Sequence, residues 1–276
     1  GWDWSRKVLH CIAGKQLMKL FGGRMRLFAI GGAKFDSEAE RFLYEAKFPY
    51  GIGYGLTETA PLVAGCVGKM VRIGSTGPAL PAVNIRLDDI NPETGQGEIV
   101  VNTPCCMKGY YKNDEATQAA FTKDGWFRTG DLGALSKDGW IYIKGRLKNM
   151  IVGPSGENIY PEDIEEVLNS NRFVAESVVT EEDGKLIALV YFDTSALEEA
   201  YDEFKHKMAV SKEQLALKME DIKREVLEYV NSKVNRFSKI SKVVDNEGEF
   251  EKTPTKKIRR FMYDRSNKST NDAVKK

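Results

Sequence analysis

The sequence is poor in the side chains that usually build metal centres, and it has no long apolar run. Only two histidines and four cysteines occur among its 276 residues, and no two cysteines form a CxxC pair. A zinc site is therefore not expected, and the cysteines are predicted to be reduced thiols. No apolar stretch approaches the ~20 residues that cross a bilayer. Leu186–Phe192 is among the longest such stretches.

The chain also carries almost no net charge. The formal charge is +1, which argues against a chain that attracts polyanions over its whole surface. Basic residues do cluster in KTPTKKIRR, the run Lys252–Arg260. Two interpretations are open: a nucleic-acid-binding module that stacks bases on Phe250, Phe261 and Tyr263, or a segment in which one lysine takes part in chemistry. The absence of a recognised nucleic-acid motif counts against the first.

The order of predicted helices and strands in the first half of the chain is typical of a mixed α/β domain. A helix-like stretch, a short strand ending near Ile30, a helix capped by Asp36 and a second strand over Pro49–Gly55 follow one another. This order predicts a segment of a parallel α/β sheet over about residues 1–71. Over about residues 72–147, short strands alternate with turn signals, which predicts a small antiparallel sheet or a distorted, barrel-like subdomain.

The remainder is predicted to be a second, α+β domain over residues 148–276. A hairpin over Met150–Asn158, a helix that begins at Pro161, a strand pair and an amphipathic helix occur in that order. The last residues, about 264–276, are predicted to be frayed. The predicted fold class is thus α/β plus α+β.

One candidate binding segment is YGLTETAP, Tyr54–Pro61. Its glycine lets backbone N–H groups approach a ligand closely. Thr57 and Thr59 offer hydroxyls to a phosphate, and Glu58 offers the hard oxygen ligand that Mg²⁺ prefers. Taken alone, the segment is also compatible with a structural turn.

A second candidate is RTGDL, Arg128–Leu132, followed by GRLKN. The Asp131 carboxylate could accept hydrogen bonds from both hydroxyls of a ribose, although a turn aspartate is the commoner explanation for such a residue. Arg146 is available to a ribose or a phosphate.

Taken together, these stretches resemble the adenylate-forming superfamily, and long-chain fatty-acid–CoA ligases in particular. The resemblance extends over roughly residues 20–262. It is carried by FGGRMRLFAIGGAKFD, YGLTET, GEIVV, MKGYYKNDEAT, DGWFRTGDLG, DGWIYIKGRLKNMIV, SGENIYPEDIEE and KTPTKKIRR.

The resemblance implies a set of nucleotide-binding residues in the first part of the chain. The adenine-pocket loop corresponds to Gly31, Gly32 and Ala33, and the stacking ring to Tyr54 with Gly55 beside it. Thr57 matches the hydroxyl that binds the α-phosphate, and Glu58 the Mg²⁺ ligand. Asp131 and Arg146 match the residues that contact the ribose.

In the second part, the resemblance implies a mobile domain. Lys148 falls on the hinge position, and Gly156 on the loop that reaches the CoA tunnel. Lys257 falls on the catalytic lysine of a P-T-G-K pattern, three positions after Pro254. Lys256 stands where that pattern has glycine, which is a departure from the family.

The implied reaction activates a fatty acid with ATP to an acyl-AMP and transfers the acyl group to CoA. ATP or AMP, Mg²⁺ and CoA are the implied cofactors and co-substrates, and no nucleic-acid partner is expected. No Ser/Thr/Gly-rich phosphate loop precedes Gly31. The chain is therefore predicted to be the C-terminal portion of the enzyme, inactive without the N-terminal half.

Alternative functions are an acyl-AMP ligase that does not use CoA, a non-catalytic adenylate binder and the nucleic-acid-binding module. The first residues lack the layout of a secretory signal, so a cytoplasmic location is expected. Peripheral contact with a membrane is left open.

Overall fold

Two compact units make up the chain, Gly1–Lys148 and Asn149–Lys276. The computed structural model describes residues 2–154, 156–205, 212–254 and 256–265. Most of the tail that is predicted to be frayed, from residue 266 on, lies outside the described residues. Within the described ranges, no helix combines the length and the apolar character that a bilayer span requires.

The first unit begins with a small mixed sheet and two helices. Strands β1 and β2 pair in parallel, and β3 adds to β2 in the antiparallel direction. The predicted parallel α/β segment is therefore confirmed, with an antiparallel third strand that the sequence analysis did not anticipate. In chain order the elements are α1 (Trp2–Leu20), β1 (Phe28–Gly31), α2 (Ser37–Glu45), β2 (Tyr50–Gly55) and β3 (Leu62–Val67).

Local chemistry explains where α2 begins and which side it buries. The Asp36 carboxylate accepts a hydrogen bond of 2.6 Å from the Ala39 N–H, which satisfies one of the helix's free N–H groups and confirms the predicted cap. Leu43 of this helix is buried in a cluster with Phe48 and Tyr50.

A five-stranded antiparallel sheet forms the rest of the first unit. Its elements are β4 (Gly77–Pro78), β5 (Asn84–Asp88), β6 (Gly97–Asn102), α3 (Asp114–Ala119), β7 (Phe127–Leu135) and β8 (Trp140–Arg146). The strand order is β4-β8-β7-β6-β5. The sequence allowed an antiparallel sheet or a distorted barrel, and the structure shows the sheet. Closure would require the two edge strands, β4 and β5, to pair with each other, and the described strands show no such pairing.

The second unit has a two-stranded hairpin and a three-stranded sheet. The predicted hairpin is confirmed by β9 and β10, and the predicted strand pair by β11 and β12, which are antiparallel. Strand β13 then adds in parallel to β12. The elements are β9 (Ile151–Val152), β10 (Asn158–Ile159), α4 (Pro161–Asn169), β11 (Val174–Glu182), β12 (Lys185–Phe192), α5 (Thr194–Lys205), α6 (Lys212–Lys233) and β13 (Lys242–Asp245).

Helices α4 and α6 contribute side chains to the core of this unit. Ile164 and Leu168 lie four residues apart on α4 and are fully buried, as are Val226 and Val230 on α6. The spacing places each pair on one helical face. Removing such a side chain from water contributes about 1.5–3 kcal/mol to stability.

The basic run folds into a tight hairpin, which we call the basic hairpin (Glu251–Arg259). The N–H of Arg259 donates to the Glu251 carbonyl, and the N–H of Thr253 donates to the Lys257 carbonyl, each at 2.8 Å. The Ile258 side chain packs against a buried cluster that includes Phe250. Because backbone hydrogen bonds pair the two arms and Ile258 packs against a buried cluster, this segment is an integral part of the second unit.

Lys256 lies in the turn of the basic hairpin with φ of 60°, the left-handed region that favours glycine. This explains why glycine suits the corresponding position of the P-T-G-K pattern. A lysine there costs about 1–2 kcal/mol in backbone energy relative to glycine.

We predict that Lys256→Gly raises the free energy of unfolding of the second unit by about 0.5–1 kcal/mol, since relief of the left-handed conformation exceeds the entropic cost of glycine. Lys257→Gly is the matched control. It brings the same entropic cost at a position without a left-handed φ, so it should lower stability. Urea denaturation measures both. Equal losses in the two variants would contradict the prediction.

Candidate functional site

The loop predicted for adenine and the segment that begins with Tyr54 lie at the same edge of the first sheet. Gly31 pairs in register with Gly53 across the parallel strands β1 and β2. Gly32, Ala33, Tyr54 and Gly55 therefore emerge side by side at the carboxyl ends of the two strands. In open α/β sheets this edge is the usual place for a ligand.

Gly55 permits the chain to turn sharply after β2. A Cβ at this position would lie 1.7 Å from the carbonyl oxygen of Pro61, a distance that no side chain can adopt. Only glycine fits, and the turn that it allows presents Thr57 and Glu58 next to the sheet edge.

The two threonines of that turn have different roles. Thr57 is exposed and is available to a ligand. Thr59 is 0% exposed. Its single hydroxyl proton is shared between the carbonyls of Leu56 and Pro61, and its oxygen accepts from the Leu56 N–H. The prediction that Thr59 offers its hydroxyl to a phosphate is therefore wrong, because that hydroxyl holds the turn together.

Asp131 is the centre of a three-residue cluster. The Tyr54 hydroxyl donates to Oδ2 at 2.7 Å, and Arg146 Nε donates to Oδ1 at 2.8 Å. Asp131 and Arg146 face each other across β7 and β8 in register. Asp131 is only 5% exposed, so its carboxylate is held by these two donors away from bulk water.

The Tyr54 hydroxyl was missed by the sequence analysis, which assigned only a stacking ring to this residue. Burial and the neighbouring Asp131 carboxylate raise the pKa of Tyr54 well above its ordinary value. The phenol is therefore neutral at physiological pH and donates a hydrogen bond to the Asp131 carboxylate. No sequence signal could have shown this contact, since the two residues are 77 positions apart.

A buried glutamate holds the strand that carries Asp131. Glu98 on β6 accepts from Arg128 at 2.5 Å and from the Gly130 N–H at 3.1 Å. The Thr129 hydroxyl donates to the Ile99 carbonyl at 2.7 Å. Residues 128–130 are thus fixed from one side, which orients the carboxylate that follows them.

Glu58 is oriented by another residue that the sequence analysis missed. Tyr110, in the MKGYYKN stretch, donates its hydroxyl to Glu58 Oε1 at 3.0 Å, and the Met107 N–H donates to the Glu58 carbonyl at 2.7 Å. Burial and the Glu58 carboxylate raise the pKa of Tyr110. Within the described part of the chain, no group of three or more metal-ligating side chains occurs.

The donor chemistry of this site fits Mg²⁺. Magnesium is commonly held by one or two carboxylates, with substrate phosphates and water completing its octahedron. Glu58 supplies such a carboxylate, and the other ligands would come from a bound nucleotide and water.

The predicted hinge, CoA-loop and lysine positions are placed as follows. Lys148 lies in a 3₁₀ turn (Leu147–Asn149) at the end of the first unit. Gly156 lies in the β9–β10 turn with φ of 84°. Lys257 is exposed on the basic hairpin of the second unit.

Comparison with known proteins gives these positions a context. Residues 7–111 match the family described as AMP-binding enzyme. The resemblance to the adenylate-forming family is confirmed. The matched segment contains the adenine-loop and Tyr54–Glu58 positions.

Similar curated proteins include acyl-CoA ligases of two kinds. A long-chain-fatty-acid–CoA ligase of Mycobacterium bovis is 34% identical over 192 residues, covering 69% of this chain and 31% of the relative. Long-chain-fatty-acid–CoA ligase 1 of Saccharomyces cerevisiae is 33% identical, over 62% of this chain and 25% of the relative. A 2-succinylbenzoate–CoA ligase of Bacillus velezensis is 39% identical, over 56% and 33% respectively. The chain thus matches about a third or less of each relative.

The fold is shared with solved adenylate-forming enzymes. O-succinylbenzoate CoA synthetase of Bacillus subtilis, in complex with its acyl-adenylate intermediate, superposes with a TM-score of 0.70 at 27% identity, over 87% of this chain and 46% of that chain. The same synthetase with ATP and a magnesium ion gives a TM-score of 0.68 at 26% identity, over 86% and 46%.

Tyr54→Phe should lower the free energy of unfolding by about 1.5–3 kcal/mol, because it removes a hydrogen bond to a charged, buried carboxylate. Tyr50→Phe is the control in the same strand, since that hydroxyl makes only a 3.5 Å contact with Glu40. It should cost less. Thermal or urea denaturation measures the free energy of unfolding of both variants. Equal decreases would show that the Tyr54–Asp131 hydrogen bond contributes no more to stability than the Tyr50–Glu40 contact.

Proposed function

We propose that this chain belongs to an AMP-forming fatty-acid–CoA ligase and forms part of its adenylate site. The carboxylate of the acid attacks the α-phosphorus of ATP and releases pyrophosphate. The thiol of CoA then attacks the acyl carbonyl, releases AMP and leaves the thioester. The observation that best supports this is the Tyr54–Asp131–Arg146 cluster, in a chain with family resemblance to adenylate-forming enzymes.

The residues of the first unit are proposed to bind the nucleotide. Gly31, Gly32 and Ala33 would line the adenine pocket, and Tyr54 would stack on the base with Gly55 beside it. Asp131 would accept the ribose hydroxyls while Arg146 and Tyr54 keep its oxygens oriented. Burial strengthens these interactions because competing water is excluded.

The α-phosphate is proposed to interact with the turn after β2. The exposed Thr57 hydroxyl would donate to it, and Glu58 would hold Mg²⁺. When bound, the metal would neutralise phosphate charge as it develops. Tyr110 keeps the Glu58 carboxylate in one orientation through its 3.0 Å hydrogen bond.

Three residues at or after the end of the first unit are also proposed to act in the cycle. Lys257 is the proposed catalytic lysine, whose ammonium group offsets negative charge during adenylation. Lys148 is the proposed hinge, and Gly156 belongs to the proposed CoA loop. For Lys257, the ordered basic hairpin supports the proposal, since a fixed backbone can present a side chain reproducibly.

The active enzyme is further proposed to include residues outside this chain, with the phosphate loop among them. Apolar side chains are exposed around α1 and β1, including Leu20, which is 83% exposed, and Phe21, Leu27 and Phe28. The chain also aligns with only 46% of a solved relative. Contiguous exposed apolar side chains usually mark a surface that another segment covers.

Long-chain fatty acids are the proposed substrate class, because a relative with this activity matches over 69% of the chain, against 56% for the 2-succinylbenzoate–CoA ligase of Bacillus velezensis. A second candidate is 2-succinylbenzoate, favoured by a relative that is 39% identical over 161 residues. An acyl-AMP ligase or a simple adenylate binder are the remaining alternatives. A nucleic-acid-binding role is disfavoured because Lys252 and Arg260 of the basic run are engaged in ion pairs with Glu176 and Glu165.

Mass spectrometry of products tests the activity and the substrate together. The full-length enzyme that carries this chain should convert ATP, CoA and palmitate to palmitoyl-CoA and AMP. 2-Succinylbenzoate and short fatty acids complete the panel, and this chain alone, without the rest of the enzyme, should form no thioester. Preferential formation of 2-succinylbenzoyl-CoA would favour the second candidate, and acyl-AMP without thioester would favour the acyl-AMP ligase.

Lys257→Ala should separate the two half-reactions. Adenylation should fall about 10²–10³-fold, the usual effect of removing one charge-stabilising contact in a dry site. Conversion of supplied acyl-AMP and CoA to thioester should continue at a near-normal rate. Pyrophosphate release and thioester formation, measured separately in the full-length enzyme, give the two rates.

Lys256→Ala is the matched control, because it removes an equivalent exposed cation one residue away. It should largely spare both steps. If Lys256→Ala abolished adenylation and Lys257→Ala did not, the assignment of the lysine would be wrong by one position.

A further inference from the structure

The basic hairpin is followed directly by a buried ion pair. The Arg260 guanidinium contacts the Glu165 carboxylate of α4 across 95 positions of sequence. Glu165 also accepts from the Val179 N–H of β11 at 2.7 Å. One carboxylate therefore joins a helix, a strand and the end of the basic hairpin.

The two partners are shielded from solvent to different degrees. The Glu165 side chain is 9% exposed and that of Arg260 is 25% exposed. Burial raises the pKa of Glu165, while the Arg260 guanidinium opposes that rise. Because a buried charge without a partner is costly, removal of either side chain would leave the other in an unfavourable state.

Other contacts hold the hairpin base but leave its turn exposed. Lys252 pairs with Glu176 at 2.5 Å, and the Tyr263 hydroxyl accepts from the Glu251 N–H at 2.7 Å. Beyond the base, the Lys257 N–H donates to the Thr253 hydroxyl at 3.1 Å. The position of Lys257 thus depends on how firmly the two arms are anchored below it.

The neighbouring arginine offers an internal comparison. Arg259 and Arg260 are adjacent, but Arg259 is exposed and contributes its backbone N–H to the hairpin, whereas Arg260 is half-buried against α4. Arg259 is the last residue of the basic hairpin, and Arg260 begins a 3₁₀ turn over Arg260–Met262. One arginine is therefore exposed to solvent, and the other contacts α4.

We propose that the Glu165–Arg260 pair is a positioning device that fixes the basic hairpin and, through it, the Lys257 side chain. This inference rests on the proposed function, because it concerns the residue proposed as the catalytic lysine. Arg260 and Glu165 are positioning residues and do not themselves contact the reacting groups.

The effect of the Glu165–Arg260 pair on the basic hairpin can be tested in this chain by hydrogen exchange. In Arg260→Met, the amides of Lys256, Lys257 and Arg259 should exchange about 10-fold faster or more, because the hairpin opens locally more often. Arg259→Met, which removes a charge from the same arm, should leave these rates unchanged. Arg260→Lys keeps the charge and should give intermediate rates, and it serves as the test if Arg260→Met fails to fold. Unchanged exchange rates in both Arg260 variants would show that the Glu165–Arg260 pair does not hold the basic hairpin in place.

The positioning role is tested in the full-length enzyme by measuring the two half-reactions. Arg260→Met should lower kcat of adenylation about 10- to 100-fold, the range for a displaced catalytic group, with little change in KM for ATP. Thioester formation from supplied acyl-AMP should be unchanged, Arg259→Met should spare both steps, and Arg260→Lys should restore part of the adenylation rate.

The outcomes distinguish this inference from the proposed function. If Lys257→Ala abolishes adenylation but Arg260→Met leaves it intact, the positioning role is wrong and the lysine assignment stands. If Lys257→Ala itself retains full adenylation, the proposed role of the lysine is wrong. Equal loss of both half-reactions in Arg260→Met would assign the pair a merely structural role and overturn the inference.

Discussion

The buried carboxylate of Asp131 is the constraint on which the first unit's candidate site depends. A charge that is taken out of water must be matched by donors, since an unpaired one costs several kcal/mol. Tyr54 comes from the three-stranded sheet and Arg146 from the five-stranded sheet, and they meet at this carboxylate. The need to satisfy Asp131 therefore joins the two sheets at the place where a nucleotide is proposed to bind.

The same requirement recurs at two other buried acids. Glu98 is matched by Arg128 and by a backbone N–H beside Asp131, and Glu165 by Arg260 and the Val179 N–H. Each acid thus orients a short segment that carries, or lies next to, a proposed functional residue. Such contacts favour one arrangement of the backbone, because alternatives would leave a buried charge without its hydrogen bonds.

The family match and the arrangement of the candidate site rest on different parts of the chain. The AMP-binding family match ends at residue 111, before Asp131, Arg146 and the basic hairpin. The geometry of those later residues comes from the structure itself. The proposals for ribose binding and for the lysine consequently rest on contacts in this chain as well as on resemblance, whereas the choice of acid rests on relatives alone.

The sequence by itself determined the features that depend on neighbouring residues. These include the strand–helix–strand order of β1, α2 and β2, the Asp36 cap, the β9–β10 hairpin and the position of the turn after β2. All follow from propensity, periodicity and turn chemistry, which act over a few residues.

Tertiary structure alone decided the pairing of distant groups. It showed an open sheet where a barrel was also allowed, and it buried the Thr59 hydroxyl inside its own turn. It also brought Tyr110 to Glu58 and Arg260 to Glu165, over 52 and 95 positions. Contacts of that range depend on how complete elements pack, and no local pattern in a single sequence encodes which buried charge will meet which donor.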